Sequence, residues 1–381
     1  MFVGIDVSKK KHDICIYDKE NEKYISFQIS NSRDGFEKLV SKISKDDVIA
    51  MEATGIYHES LYNFLDSNGY KAIILHPYQL KYFSKTLNNS KTDKLDAKSI
   101  AIAISDLSSR LKKVRVPSDK IKSLKEIVHH RNYVSEMLAN LERKLRRELV
   151  LVMPEIEKYF STMLSSVLLE LLEKYPTPSK IISSFEEVKK IVGWEEEKIN
   201  RFEQDIRKSI GIEDEYGIYA FIVVSLVKEI KHLVEEFSEI EEKIKSLIDD
   251  IPESKNLMTM KGIGLMTVAT LIAEIGDIER FETKNQLTSY AGFDPITIQS
   301  GQFSNHLHIS KKGSKVLRKS MYFLAVRLVR YDKRFRDFYK RLRDRGKNPK
   351  LALVAVARKA LEIIFHILKT GEEYVLTEGI N

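Results

Sequence analysis

Apolar residues along the first hundred positions follow two rhythms. "FVGIDV" (2–7), "HDICIYD" (12–18) and "KYISFQIS" (23–30) carry them in short runs or at alternate positions between polar turns, which predicts three consecutive strands. "SRDGFEKLVSKIS" (32–44) opens on a polar cap and sets Phe36, Leu39, Val40 and Ile43 at helical spacing. "DVIAMEA" (47–53) reads as a buried strand, "YHESLYNFLDSNG" (57–69) as a helix closed by Gly69, and "KAIILHP" (71–77) as another strand. Three hairpin strands followed by alternating helices and strands predict a mixed sheet in an α/β domain.

After Pro117 the period becomes helical and stays so. Residues 119–152 place Ile121, Leu124, Ile127, Val128, Val134, Leu138, Leu141, Leu145 and Leu149 between charges, and 215–250 repeat the pattern. Two such helices are expected to pair as a coiled coil, within the chain or between subunits. The stretch 153–214 between them is helical, broken at Pro154, Pro176 and Pro178, and suggests no role. The expected organisation is therefore an α/β domain over 1–116, a helical coiled-coil region over 117–250 with an insertion at 153–214, and a helical domain over 251–381.

Charge changes this picture near the C-terminus. The chain is net +8, but Ser310 to Ala360 alone holds 18 Lys and Arg against 3 Asp, so the remainder is net −7. Aromatic residues (Tyr322, Phe323, Tyr331, Phe335, Phe338, Tyr339) interleave with that segment, a footprint of nucleic-acid binding. Lys261-Gly262-Ile263-Gly264 lies between two helical runs, where a Gly-x-Gly turn lets backbone N–H groups approach a phosphate; a plain glycine turn reads the same way. The lone Cys15 excludes an internal disulfide and a cysteine-based metal cluster. No run approaches the ~18 apolar residues of a membrane span, and the N-terminus begins as a strand rather than a signal peptide, so a cytoplasmic location is expected.

Four acids carry the candidate chemistry. Asp6 stands at the end of the first strand and Glu52 at the end of "VIAME", where open α/β sheets build their sites. An acid within an apolar strand is costly unless something compensates it. "KTDKLDAKSI" (91–100) sets Asp93 and Asp96 three apart at a helix start; a helix dipole favours acids there, and so does a metal site. Together the four offer oxygen-only ligands of the kind that suit Mg²⁺ or Mn²⁺. The histidines show no zinc spacing; His129 and His130 read as helix-surface residues.

Five ordered blocks, "GIDVSKKKHDICIYD", "AMEATGIYHESLYNFLDSNGY", "HPYQLKYFSKTLNNSKTDKLDAKSIA", "GIGLMTVATLIAEIGDIERF" and "SGQF…HISKKGSKVLRKSMY", resemble the insertion sequence 110 family of DEDD transposases. The resemblance covers about 1–150 and 215–370. It implies an RNase H-like (RuvC-like) N-terminal domain whose catalytic, metal-binding acids fall on Asp6, Glu52, Asp93 and Asp96. It also implies a C-terminal transposase domain whose nucleophilic serine falls on Ser300 in "QSGQF", although Ser-Gly by itself reads as a turn. Ser310 is the most serious rival. The family pattern further implies a composite site across subunits of a dimer or tetramer, donor and target DNA as partners, and a structured bridge RNA. Lys311, Lys312, Lys315 and Arg318, with Lys261, Gly262 and Gly264, are the expected phosphate contacts.

Other readings stay open on the residues alone. They are a metal-dependent nuclease or Holliday-junction resolvase using only the four acids, an actin-like kinase opening on "GID", and a nucleic-acid scaffold without catalysis. The kinase needs a second glycine-rich Asp motif, and the sequence offers no convincing one.

Overall fold

The structure, a computed structural model, describes residues 1–52, 56–75, 97–107, 118–212, 214–300 and 303–374. The chain divides into two compact units, 1–116 and 117–381. In the first, strands β1 (Phe2–Val7), β2 (Lys11–Asp18), β3 (Lys23–Ser30), β4 (Val48–Glu52) and β5 (Ala72–Leu75) form one sheet in the order β3-β2-β1-β4-β5. The first three strands pair antiparallel, while β4 and β5 join parallel to β1. Parallel pairing needs a crossover, and α1 (Arg33–Val40) and α2 (Glu59–Ser67) supply it. Ser32 caps α1 by accepting from the Gly35 N–H.

Side chains alternate between the faces of the sheet. Val3, Ile5, Ile14, Ile49 and Met51 pack under α1 and α2 with Phe36, Leu39, Leu61 and Leu65. The other face carries α3 (Ala97–Leu107), which buries Ile100 and Ile104 against Ala50 and Leu75. A Cβ on Gly4 would stand 2.1 Å from the Ala97 carbonyl oxygen, so only glycine lets α3 cross β1 this closely. Lys19, just past β2, donates to the Ser105 carbonyl near the end of α3 at 2.8 Å. The helix therefore runs antiparallel to β1, its start at the Asp6 end.

The second unit is built on two long antiparallel helices, α4 (Asp119–Val152) and, beyond four short helices, α9 (Ile218–Asp249). Ion pairs Lys120–Asp250 and Arg131–Glu241 fix their register. The four short helices, α5 (Ser166–Lys174), α6 (Pro178–Ser183), α7 (Phe185–Val192) and α8 (Glu196–Arg207), gather at one end of this pair. Their aromatic centre stacks Tyr159 on Trp194, with Phe202 edge-on to both.

At the other end lie α10 (Pro252–Met258), α11 (Leu265–Ile275), α12 (Lys284–Tyr290), α13 (Lys315–Tyr331), α14 (Lys333–Asp344) and α15 (Pro349–Thr370). Between α12 and α13 the pattern of apolar residues predicts no element. The structure forms there a two-stranded antiparallel ribbon of β6 (Pro295–Ser300) and β7 (Phe303–Ile309). Among the described residues, no helix is long and apolar enough to cross a membrane.

Candidate active site and nucleic-acid interface

The parallel register sets Ile5 beside Met51. Asp6 and Glu52 follow them on their strands and share the face that α3 covers. Glu52 is half-buried; burial first, and then the negative charge of Asp6, push its carboxyl above the usual range. The antiparallel register brings a third carboxylate opposite Asp6, that of Asp13, whose Oδ1 accepts from Gln28 Nε2 at 2.6 Å. Three neighbouring strands thus present acids at one end of one face. Asp13 escaped the sequence reading although its signal was there: a hairpin turning at Lys9 and Lys10 pairs position 6 with 13.

Asp93 and Asp96 lie outside the described residues. Among the described residues, no three acidic, His or Cys side chains are arranged to hold a metal ion. What is described is the start of α3, Ala97, packed on Gly4 two positions along β1 from Asp6.

Ser300 is the last residue of β6, paired with Phe303 across the ribbon tip. The ribbon stands on a braced base. Ser310 N–H donates to the Asp294 carbonyl, Ser310 Oγ donates to Asp294 Oδ1 at 2.8 Å, and Lys312 N–H donates to Ser310 Oγ. The Ser310 hydroxyl is thus occupied within the base, whereas Ser300 stands at the tip. Lys311 there adopts a left-handed backbone (φ +55°), a conformation a side chain resists.

The expected phosphate contacts fall into two groups. Lys311, Lys312 and Lys315 are exposed around the start of α13, while Arg318 turns inward and donates to the Ala291 carbonyl at 3.0 Å. The turn of exposed Lys261, Gly262 (φ +86°) and Gly264 instead lies against Tyr331 and Arg327 near the far end of α13. At 1.5 Å per residue these two groups are separated by roughly 20 Å along the helix. His129 and His130 are exposed, as read, yet both bridge helices: His130 meets Glu236 and His129 meets buried Glu274, whose other oxygen accepts from Ser314.

Comparison with known proteins is consistent along the chain. Residues 3–154 match a family profile described as Transposase, of the DEDD insertion sequence 110 type, and residues 254–340 match one described as Transposase IS116/IS110/IS902 family. The chain is 26% identical to a 43.6 kDa protein of insertion element IS110 from Streptomyces coelicolor, over 98% of this chain and 95% of the relative. It is 24% identical to a pilin gene-inverting protein of Moraxella bovis, over 98% and 97% of the two chains. A transposase for insertion sequence element IS1111A from Coxiella burnetii is 24% identical over 98% of this chain and 90% of its own. Two family matches in order along the chain, and relatives aligned over nearly its whole length, carry one conclusion: the chain belongs to the IS110 family of transposases.

Proposed function

We propose that this transposase cuts and rejoins DNA through a phosphoserine intermediate on Ser300, with Asp6, Glu52, Asp93 and Asp96 holding a divalent cation, and that a structured RNA guides it to its DNA. The observation that carries the reading is the juxtaposition of Asp6 and Glu52 on adjacent strands with the start of α3 directed to the same end. The strand order β3-β2-β1-β4-β5, three antiparallel strands and then two parallel, supports an RNase H-like assignment for this unit.

The donor set fits a hard cation: carboxylate oxygens from neighbouring strands, whose mutual repulsion such an ion relieves. Asp6, Glu52, Asp93 and Asp96 would hold Mg²⁺ or Mn²⁺, which would supply charge neutralisation at phosphoryl oxygens and favour deprotonation of an attacking hydroxyl. Asp93 and Asp96 complete the set in this reading because Asp96 is covalently joined to Ala97, which packs beside Gly4.

Ser300 Oγ attacks the phosphorus of a DNA phosphodiester. Its bond to phosphorus forms as the bond to one sugar oxygen breaks; the serine proton passes to a base or water, and the leaving oxygen becomes a hydroxyl. A hydroxyl from the second DNA end then attacks the phosphoserine, restores the phosphodiester and returns Ser300. The bond energy is conserved throughout, which suits an exchange of strands. A relative named for inverting a pilin gene supports this, since inversion requires rejoining as well as cutting.

A covalent-adduct assay tests the proposal. Protein, Mg²⁺, element-end DNA and the RNA transcribed beside the gene are combined and run under denaturing conditions. A protein–DNA band in the wild type that vanishes in Ser300→Ala is expected. Cleavage without an adduct, unchanged in Ser300→Ala, would sink the serine role and leave a nuclease that uses the acids alone.

A further inference from the structure

A groove of about 800 Å³ runs along α13, walled by α11 and by α4. Helices α11 and α13 lie antiparallel there. Ser314, at the start of α13, bonds Glu274 near the end of α11, and Arg327, near the end of α13, lies against Gly264 at the start of α11.

Into this groove α13 presents Lys315, Lys319, Phe323 and Arg327, every fourth residue on one face, a stripe about 18 Å long at 1.5 Å per residue. The three cations are exposed and Phe323 is 58% exposed. Arg131, in the α4 wall, is tied to Glu241. Among the described residues no carboxylate pairs with Lys315, Lys319 or Arg327, and Glu136 is the single acid lining the groove. Neither α11 nor α13 carries an acid in its first turn. Arg327 Nη1 would stand 3.2 Å from a Cβ on Gly264, so a guanidinium sits at the positive end of α11. Positive groups gathered this closely call for an anion.

Phosphates alone account for the cations but not for an aromatic ring held exposed between them. A duplex hides the faces of its bases, whereas an unpaired strand offers a charged backbone and open base faces together. We propose that this groove binds an unpaired nucleic-acid strand, with phosphates on Lys315, Lys319 and Arg327 and a base stacked on Phe323. The inference builds on the recombinase reading in that strand exchange supplies unpaired DNA and the guide supplies unpaired RNA.

The test is fluorescence anisotropy on the full chain in EDTA, with fluorescein-labelled oligo(dT), oligo(U) and a mixed-sequence duplex of equal length. Phe323→Ala is expected to weaken single-strand binding by roughly ten-fold, the scale of one base–aromatic stack, and to leave the duplex nearly unchanged. Phe323→Trp should hold wild-type affinity. Lys319→Gln should lower the slope of log affinity against log salt by about 0.7. A loss on oligo(dT) assigns the groove to DNA and a loss on oligo(U) to RNA; either supports it. Absent binding in the wild type, unchanged binding in Phe323→Ala, or equal losses on single strand and duplex would overturn it. Thermal unfolding verifies that the variants fold. No metal is present and no strand is cut, so a negative result here leaves the Ser300 chemistry standing, and the converse holds for the adduct assay.

Discussion

Single side chains on the sheet decide whether the acidic end is built. Asp6→Asn and Glu52→Gln keep shape and remove one charge each. Strand cleavage is expected to fall about a hundred-fold or more, the scale on which one transition-state charge contact acts, while melting temperatures stay near the wild type. Gly4→Ala tests the support beneath them. Its methyl would meet the Ala97 carbonyl and, at 2.5 Å, the Ala101 nitrogen, both backbone atoms that cannot turn aside. Overpacking of this kind costs about 1–3 kcal/mol, to be read as a lowered denaturant midpoint together with lost cleavage. His12, fully buried against Phe36 on the opposite face, carries a pH signature. Burial holds its imidazole below the ordinary value of 6.5, against smaller raising effects from Asn31 and Asp13. The unfolded chain therefore binds a proton that the folded one refuses, and stability present above about pH 6.5 is lost as pH falls below it. Urea midpoints at pH 7 and pH 5 should separate more in the wild type than in His12→Gln.

Whole elements show what could be read ahead and what could not. Among the described residues, each strand of the first unit lies within a residue or two of its apolar run, because each run is bounded by turn residues and packs on a single sheet. Residues 53, 76 and 77 of the expected strands lie outside the described residues. Asp6 and Glu52 were legible for the same reason: an acid that closes an apolar strand breaks the pattern. The ribbon carrying Ser300 was not legible. Its strands mix Thr, Gln, Ser, Asn and His with few apolar residues, and what holds its base is the crossing of Gly292–Asp294 with Ser310–Ser314, a pairing made only in the folded chain. That base makes its own prediction. Lys311→Gly relieves the left-handed backbone and should stabilise the unit by about 1 kcal/mol. The same change removes a cation, so the salt slope of duplex DNA binding should fall by about 0.9 if Lys311 contacts a phosphate. Ser310→Ala should cost about 1 kcal/mol by freeing Asp294 and leave the covalent adduct intact, which separates the bracing serine from the reacting one.

Across the whole molecule, the acids and the serine belong to different units of the chain, and the proposed chemistry needs both. Mixing Asp6→Asn chains with Ser300→Ala chains asks whether different copies contribute them. Adduct formation by the mixture, absent from each variant alone, is the outcome expected of a composite site in a dimer or tetramer. The division of charge is a property of this scale too: the basic excess lies entirely in Ser310 to Ala360, the segment that also carries one side of the ribbon base and the α13 face of the groove. The α4–α9 pair is a stiff rod about 50 Å long at 1.5 Å per residue, cross-tied by Lys120–Asp250 and Arg131–Glu241, with the short-helix cluster at its far end. Such a rod is a lever arm. A tilt of about 5° at its root sweeps the far cluster through about 4 Å, slightly more than the 3.4 Å step between stacked base pairs.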